Sequence, residues 1–296
     1  MTNVNAKLNE RPRFPECCDP PSLLDLSGRK GLVVGVANEH SLAWSAALHF
    51  AQAGADLAIT YVNAGTRPYV VDLAKRVDAP IFMPCDVAKP GELEAVFDAI
   101  TGRWGKLDFL LHAVGSIRPQ DLRGRLTDCS AEGFAQGMLV SVHSLIRMAR
   151  LAEPLMPSGG SLITLSFLGA ERVVDHYNVM GPVKAALESS VRYLAHELGP
   201  KGIRVNAISA GPVQTRAASG LAGFSALLDN ASQTAPLRRN IEADEVGRAA
   251  LLLASDYTAA TTGETLHVDC GVHIEAPITV VKPPAGSAMT SSEILK

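Results

Sequence analysis

Gly31-Leu32-Val33-Val34-Gly35-Val36-Ala37-Asn38-Glu39-His40-Ser41 is the stretch on which the fold turns. A short apolar run closes in small residues. From Ser41 the apolar spacing lengthens, with Leu42, Ala46, Leu48, Phe50 and Ala53 set among polar residues as far as Gly54. A buried strand giving way to an amphipathic helix reads in this manner. Leu57-Ala58-Ile59-Thr60-Tyr61 then reads as a second strand, so the segment makes one βαβ unit.

The pattern repeats outward. Residues 80–85 and 107–113 read as strands around a helix that carries Leu93, Val96, Phe97 and Ile100 on one face. A long amphipathic stretch through Phe134, Leu145, Ile146 and Met148 leads to a strand at 161–166, followed by a helix around 182–198 and strands at 203–208 and 264–268. Seven or so strands alternating with helices predict an α/β fold, a single doubly wound parallel sheet, Rossmann-like, with helices on both faces. Residues 28–276 form this domain, residues 1–27 an irregular proline-bearing arm, and residues 277–296 a flexible C-terminal tail.

Composition agrees. With 296 residues, 47% hydrophobic and 19% charged, the chain can bury a core without disulfides or a metal. A net charge of -3 and lysines and arginines spread singly between Arg172 and Arg216 offer no field for nucleic acid. The five cysteines show no repeated spacing and read as thiols in a reducing compartment, while the eight histidines form no ligand-spaced cluster. No apolar stretch reaches the length of about 20 that a membrane span needs, nor does the start look like a signal peptide. A cytoplasmic protein without a membrane partner is expected.

Ligands of a doubly wound sheet sit beyond the carboxyl ends of its strands. After the first strand, Gly35 and Ala37 let the backbone turn closely, and Ser41 can cap or enter a helix whose free N–H groups face a diphosphate. The segment is not G-x-G-x-x-G, so a plain tight turn stays open. The second strand ends at Tyr61-Val62-Asn63 without the acidic residue that reads a ribose in many NAD sites; Asn63 or Arg67 can serve instead. Asp86 can bond an adenine amino group with Val87 covering the ring, or can cap the next helix. Small residues, Ala113-Val114-Gly115, end the fourth strand as a dinucleotide against the backbone requires.

Tyr177 and Lys184 are the sharpest local signal. Seven residues are nearly two turns, so in a continuous helix both side chains share a face, and a nearby ammonium lowers a phenol's pKa from about 10. Such a pair makes a proton donor whose lysine can also hold ribose hydroxyls; a packed tyrosine beside a solvated lysine is the bland reading. Gly181-Pro182 complicates it, since the helix either bends there or begins near Pro182.

Three segments carry a family resemblance: Leu165-Ser166-Phe167-Leu168-Gly169-Ala170-Glu171-Arg172, then Tyr177-Asn178-Val179-Met180-Gly181, then Lys184-Ala185. With Arg204 to Pro212 and Thr215 to Gly220, they resemble the short-chain dehydrogenase/reductase superfamily and, within it, the bacterial enoyl-(acyl-carrier-protein) reductases of type II fatty-acid synthesis, over residues 24–276. The resemblance implies reduction of the trans-2 double bond of an enoyl thioester by hydride from NADH or NADPH, with NADH favoured. It further implies an acyl carrier protein as partner and a homotetramer.

Residue by residue, it makes Tyr177 the group that stabilises the enolate oxygen and Lys184 its partner and ribose anchor. Gly35, Ala37, Ser41 and Leu42 match the dinucleotide loop, Asp86 and Val87 the adenine contacts, and Val114 and Gly115 the ribose side. Val213 and Thr215 match positions at the nicotinamide amide and diphosphate. Phe167, Met180, Ala217 and Leu221 join Tyr177 around the substrate, and residues 215–228 match a mobile lid where an ordinary amphipathic helix is the alternative. Phe167 stands where many members carry a second tyrosine, Ser116 where a bulkier apolar residue is common, and Cys270 within a usual Gly-Gly pair. Two other readings stay in play. A carbonyl reductase acting on 3-oxoacyl thioesters would want a serine thirteen residues before Tyr177, where Thr164 stands; a non-catalytic dinucleotide-binding regulatory protein would share the fold.

Overall fold

The computed structural model describes residues 24–215 and 223–275. Its strands are β1 (Lys30–Val34), β2 (Asp56–Tyr61), β3 (Ile81–Pro84), β4 (Phe109–His112), β5 (Gly160–Ser166), β6 (Ile203–Ala210) and β7 (Thr265–Val268). They form one seven-stranded sheet in the order β3-β2-β1-β4-β5-β6-β7, with every pairing parallel. The order reverses between β1 and β4, which opens the crevice at the carboxyl edge where such sheets take ligands.

The central strands are buried on both faces, and their alternate residues enter different cores, while the edge strands β3 and β7 are only partly covered. Leu32 and Val34 of β1 join a cluster with α3 (Glu92–Trp104), α6 (Ser144–Ala152) and α7 (Met180–Leu198), through residues such as Val96, Leu145 and Leu187. Val33 turns to the other side, towards α1 (Leu42–Gln52), α2 (Arg67–Arg76) and α9 (Ala243–Ala254), meeting Phe50, Val70 and Val246. The short α4 (Pro119–Leu122) precedes α5 (Ala131–Met138), which continues through a π turn at Leu139–His143 into α6; α8 (Phe224–Thr234) precedes α9.

Expected strands and observed ones agree to within a few residues, and two local readings are corrected. Asp86 does not cap α3: its Oδ1 accepts from the Ala88 N–H at 3.0 Å, and the cap is Gly91 at φ 84°. The helix expected near Pro182 starts at Met180, because a proline in a first turn gives up an N–H that lacks an intrahelical acceptor anyway. Of the expected arm, only its last residues are described, and Leu26 lies in the core, its N–H donating to Ala53 O at 2.7 Å. The tail at 277–296 lies outside the described residues. Among the described residues, no helix is long and apolar enough to cross a membrane.

Gly31 shows how closely the sheet is packed. A Cβ there would stand 2.2 Å from Cζ of Phe109, whose ring is itself braced by Phe50 at a 4.7 Å centroid separation. Gly31→Ala is expected to destabilise the fold by about 1–3 kcal/mol, the usual cost of overpacking a filled core. Urea unfolding measures it, and an unchanged midpoint would show that the Phe109 ring has room to withdraw.

Candidate active site

The carboxyl ends of β4, β5 and β6 surround a cavity of about 480 Å³. Phe167, Tyr177, Met180 and Lys184 line it from β5 and α7, Val114 and Gly115 from the end of β4. Leu42 at the start of α1, and Val213 and Thr215 after β6, complete the meeting of predicted residues. Its walls are otherwise largely apolar, with Ile117, Leu122, Phe224 and Leu227 among them.

Tyr177 lies ahead of α7, not on it, so the shared-helix-face argument is corrected: a turn aims the ring. His176 (φ 64°) and Asn178 (φ 45°) flank it in the left-handed region, a conformation that costs a side-chain-bearing residue about 1–2 kcal/mol. Asn178 holds the turn by donating through Nδ2 to Leu122 O at 2.8 Å. Phe167 packs on the Tyr177 ring at 4.7 Å between centroids and 57° between planes. Gly169 makes room, since a Cβ there would lie 2.3 Å from Tyr177 Cδ1.

Lys184 sits on the second turn of α7, only 8% exposed, and its Nζ donates to Leu165 O at 2.7 Å. The amine also faces Gly115, where a Cβ would stand 3.8 Å from Nζ. Burial pulls its pKa down to about 8, against a smaller upward pull from Glu188. The phenol departs from expectation. Burial, reinforced by the Glu188 carboxylate, holds Tyr177 well above its ordinary value, so it stays a neutral O–H donor; exclusion of water, and not a neighbouring ammonium, sets the direction of its shift.

The nucleotide end fits a dinucleotide in part as expected. Gly35, at φ 112°, brings β1 against β4 so closely that a Cβ would meet Ala113 O at 2.1 Å. Ser41 occupies the N-cap of α1 without capping it: its hydroxyl donates to Asn38 O at 2.7 Å and accepts from Ala37 N–H at 3.4 Å. The first N–H groups of α1, which have no intrahelical acceptor, are therefore left for an anion. The Val87 side chain is packed in the core, and Asp86 follows β3 outside the cavity lining. Asn63 Oδ1 accepts from the Thr66 N–H at 3.1 Å, while Arg67 is exposed at the start of α2.

Ala217 and Leu221 lie outside the described residues, as does half of the expected lid; its last part is the start of α8, whose Phe224 and Leu227 reach the cavity. Thr164 is placed away from the cavity. Its hydroxyl is buried inside the sheet, 2.8 Å from Nδ1 of His112, whose Nε2 is 2.7 Å from Ser144 Oγ. Sequence reasoning missed the wall made by Ile117, Leu122 and Arg123, a loop without apolar period, and it missed Glu188. A carboxylate four residues after Lys184, on the stripe shared by Leu187, Val191 and Leu194, was the available signal.

Comparison with known proteins follows the same lines. The family model described as enoyl-(acyl carrier protein) reductase matches residues 35–273. An enoyl-acyl-carrier-protein reductase (NADH) of Rhizobium meliloti is 45% identical over 264 residues, 87% of this chain and 97% of that protein. One from Nostoc is 44% identical over 255 residues, covering 85% and 99%. Among solved structures, the Anaplasma phagocytophilum enoyl-(acyl-carrier-protein) reductase in complex with NAD superposes with a TM-score of 0.82 at 47% identity, over 86% of this chain and 97% of that one. The Bacillus cereus enoyl-acyl carrier protein reductase with NADP+ and an indole naphthyridinone gives 0.82 at 43%, covering 85% and 98%. Relatives matched almost end to end, on a sheet with this strand order and with Tyr177 and Lys184 in its crevice, leave one conclusion: the chain belongs to the enoyl-(acyl carrier protein) reductase family of short-chain dehydrogenases/reductases.

Proposed function

We propose that this protein reduces the trans-2 double bond of an enoyl chain carried as a thioester on acyl carrier protein, with NADH in preference to NADPH. The observation that carries the reading is the pairing of a neutral phenol with a buried amine in an otherwise apolar cavity at the strand-order reversal. NADH is supported by the names of the Rhizobium and Nostoc relatives.

When bound, reduced nicotinamide supplies a hydride to the β-carbon. The chain's own part is to meet the charge that this addition pushes onto the thioester oxygen. Tyr177 donates its O–H to that oxygen, and because burial keeps the phenol protonated, the donor is in place before charge develops. Lys184, fixed by Leu165 O, supplies a cation beside it and holds the ribose hydroxyls. Phe167, Met180 and Phe224 keep water from the acyl chain, and the enolate takes its proton at the α-carbon. Gly35, the α1 N-terminus and Gly115 cradle the diphosphate and ribose; Asp86, the Val87 backbone, Val213 and Thr215 complete the contacts. The engaged hydroxyl of Thr164 speaks against the 3-oxoacyl reading.

Residues 28–276 then act as one reductase domain, with 215–228 as its lid over the acyl chain. The exposed guanidinium of Arg123 at the cavity wall suits the phosphodiester of a carrier-bound arm. A homotetramer working in the cytoplasm is the assembly that the family resemblance favours.

Loss of reduced-cofactor absorbance tests the assignment. NADH oxidation is expected with crotonyl and longer enoyl thioesters and not with 3-oxoacyl thioesters; the reverse preference would overturn it. Tyr177→Phe is expected to lower kcat about a hundredfold, roughly 3 kcal/mol of oxyanion stabilisation, with cofactor affinity retained. Full turnover by this variant under conditions where chemistry limits the rate would refute the role given to the phenol. Lys184→Met is expected to abolish turnover yet raise Tm at pH 7 by on the order of a few degrees. The sign follows from the lowered pKa: with a folded value of about 8 against 10.5, burying the ammonium costs stability below pH 8, and that cost fades as pH rises from 8 to 10.5. Thermal melts between pH 7 and 10.5 therefore show the gap closing, whereas a gap independent of pH would contradict this origin.

A further inference from the structure

Glu188 is buried, 5% exposed, on the face of α7 that carries Lys184 one turn earlier. The proposed reaction gives it no role, and an ionisable group is costly to keep in such a place without one. Its Oε1 accepts from the hydroxyl of Ser166, and Ser166 itself lines the cavity between Leu165, whose carbonyl holds Lys184 Nζ, and Phe167, whose ring packs on Tyr177. Glu188 thus stands behind both groups of the reacting pair.

We infer that Glu188 is a positioning residue: anchored by Ser166, its carboxylate supplies the negative charge against which Lys184 keeps its proton and Tyr177 remains a neutral donor. This rests on the functional reading above and deepens it. The charged surroundings are defined. Glu188 is faced by Lys184 and Arg192 from its own helix, Glu171 from the turn after β5 and His267 from β7, with Tyr177 across the cavity. His267 Nε2 lies 3.1 Å from Glu171 Oε1, and its ring stacks on His273, which is held by Asp269. Lys184 is faced besides by His112 from β4, which burial keeps neutral by pulling its pKa to about 3. Burial raises the Glu188 pKa, and the Ser166 bond opposes that rise.

Glu188→Gln keeps an acceptor for Ser166 and removes the charge. The alkaline limb of kcat is expected to move down by about 1 pH unit, so that turnover falls about tenfold at pH 9 and little at pH 6. A merely structural role would lower kcat by the same factor at every pH, and that result overturns the inference. Ser166→Ala leaves the carboxylate and removes its donor. With its anchor gone the carboxylate is no longer held behind Lys184, so the alkaline limb is expected to move down in the same sense as in Glu188→Gln, and an unmoved limb counts against the anchor; this variant decides the matter should Glu188→Gln fail to fold. Ultraviolet titration of the Tyr177 phenol, with Tyr177→Phe as blank, needs no turnover. Glu188→Gln is expected to lower its ionisation midpoint, and an unchanged midpoint overturns the inference. Absence of wild-type turnover on every enoyl thioester would instead strike the proposed reaction and leave this titration to judge Glu188.

Discussion

The amine of Lys184 has been carried out of water, and most of the site's arrangement answers that burial. An ammonium in an apolar cleft is costly unless it is bonded and partnered. Leu165 O provides the bond, and Glu188 on the next turn provides the opposing charge. The same withdrawal from water keeps the Tyr177 phenol protonated, so one environment yields both a fixed cation and a donor ready for an oxyanion.

The sheet makes such a place. Parallel strands send every carboxyl end to one edge, and the reversal between β1 and β4 leaves that edge open at its middle. Gly35 closes β1 onto β4, the start of α1 offers unpaired N–H groups, and α7 delivers Lys184 from the far side of the crevice. Tyr177 is aimed separately, by a turn with left-handed residues on both sides of it. Left-handed residues on both sides of one reactive side chain are consistent with a position fixed for its geometry.

Much of this was legible in the residues alone. Runs such as Leu32-Val33-Val34 and Leu110-Leu111, buried on both faces, are readable because a central parallel strand has no polar side to show. Helix starts were harder. Pro182 is compatible with a kink or a first turn, and the helix takes it into its first turn from Met180; α3 begins at Glu92, which puts Gly91 and not the better capping type Asp86 in the cap position. His176 and Asn178 carry no glycine to announce their left-handed turn. The direction of the phenol's shift also escaped, since spacing shows which charges are near but not how much water is excluded. Glu188 was visible as a charge on an apolar stripe, yet its bond to Ser166 joins residues 22 apart and exists only in the folded sheet.

Titration of the Lys184 side-chain amine by nitrogen-15 NMR, assigned by comparison with a Lys184→Met sample, tests the buried cation most directly. A midpoint near 8 is expected. A midpoint at the ordinary lysine value of 10.5 would mean that the amine is solvated, and the electrostatic basis for the phenol, the carboxylate and the proposed chemistry would be lost with it.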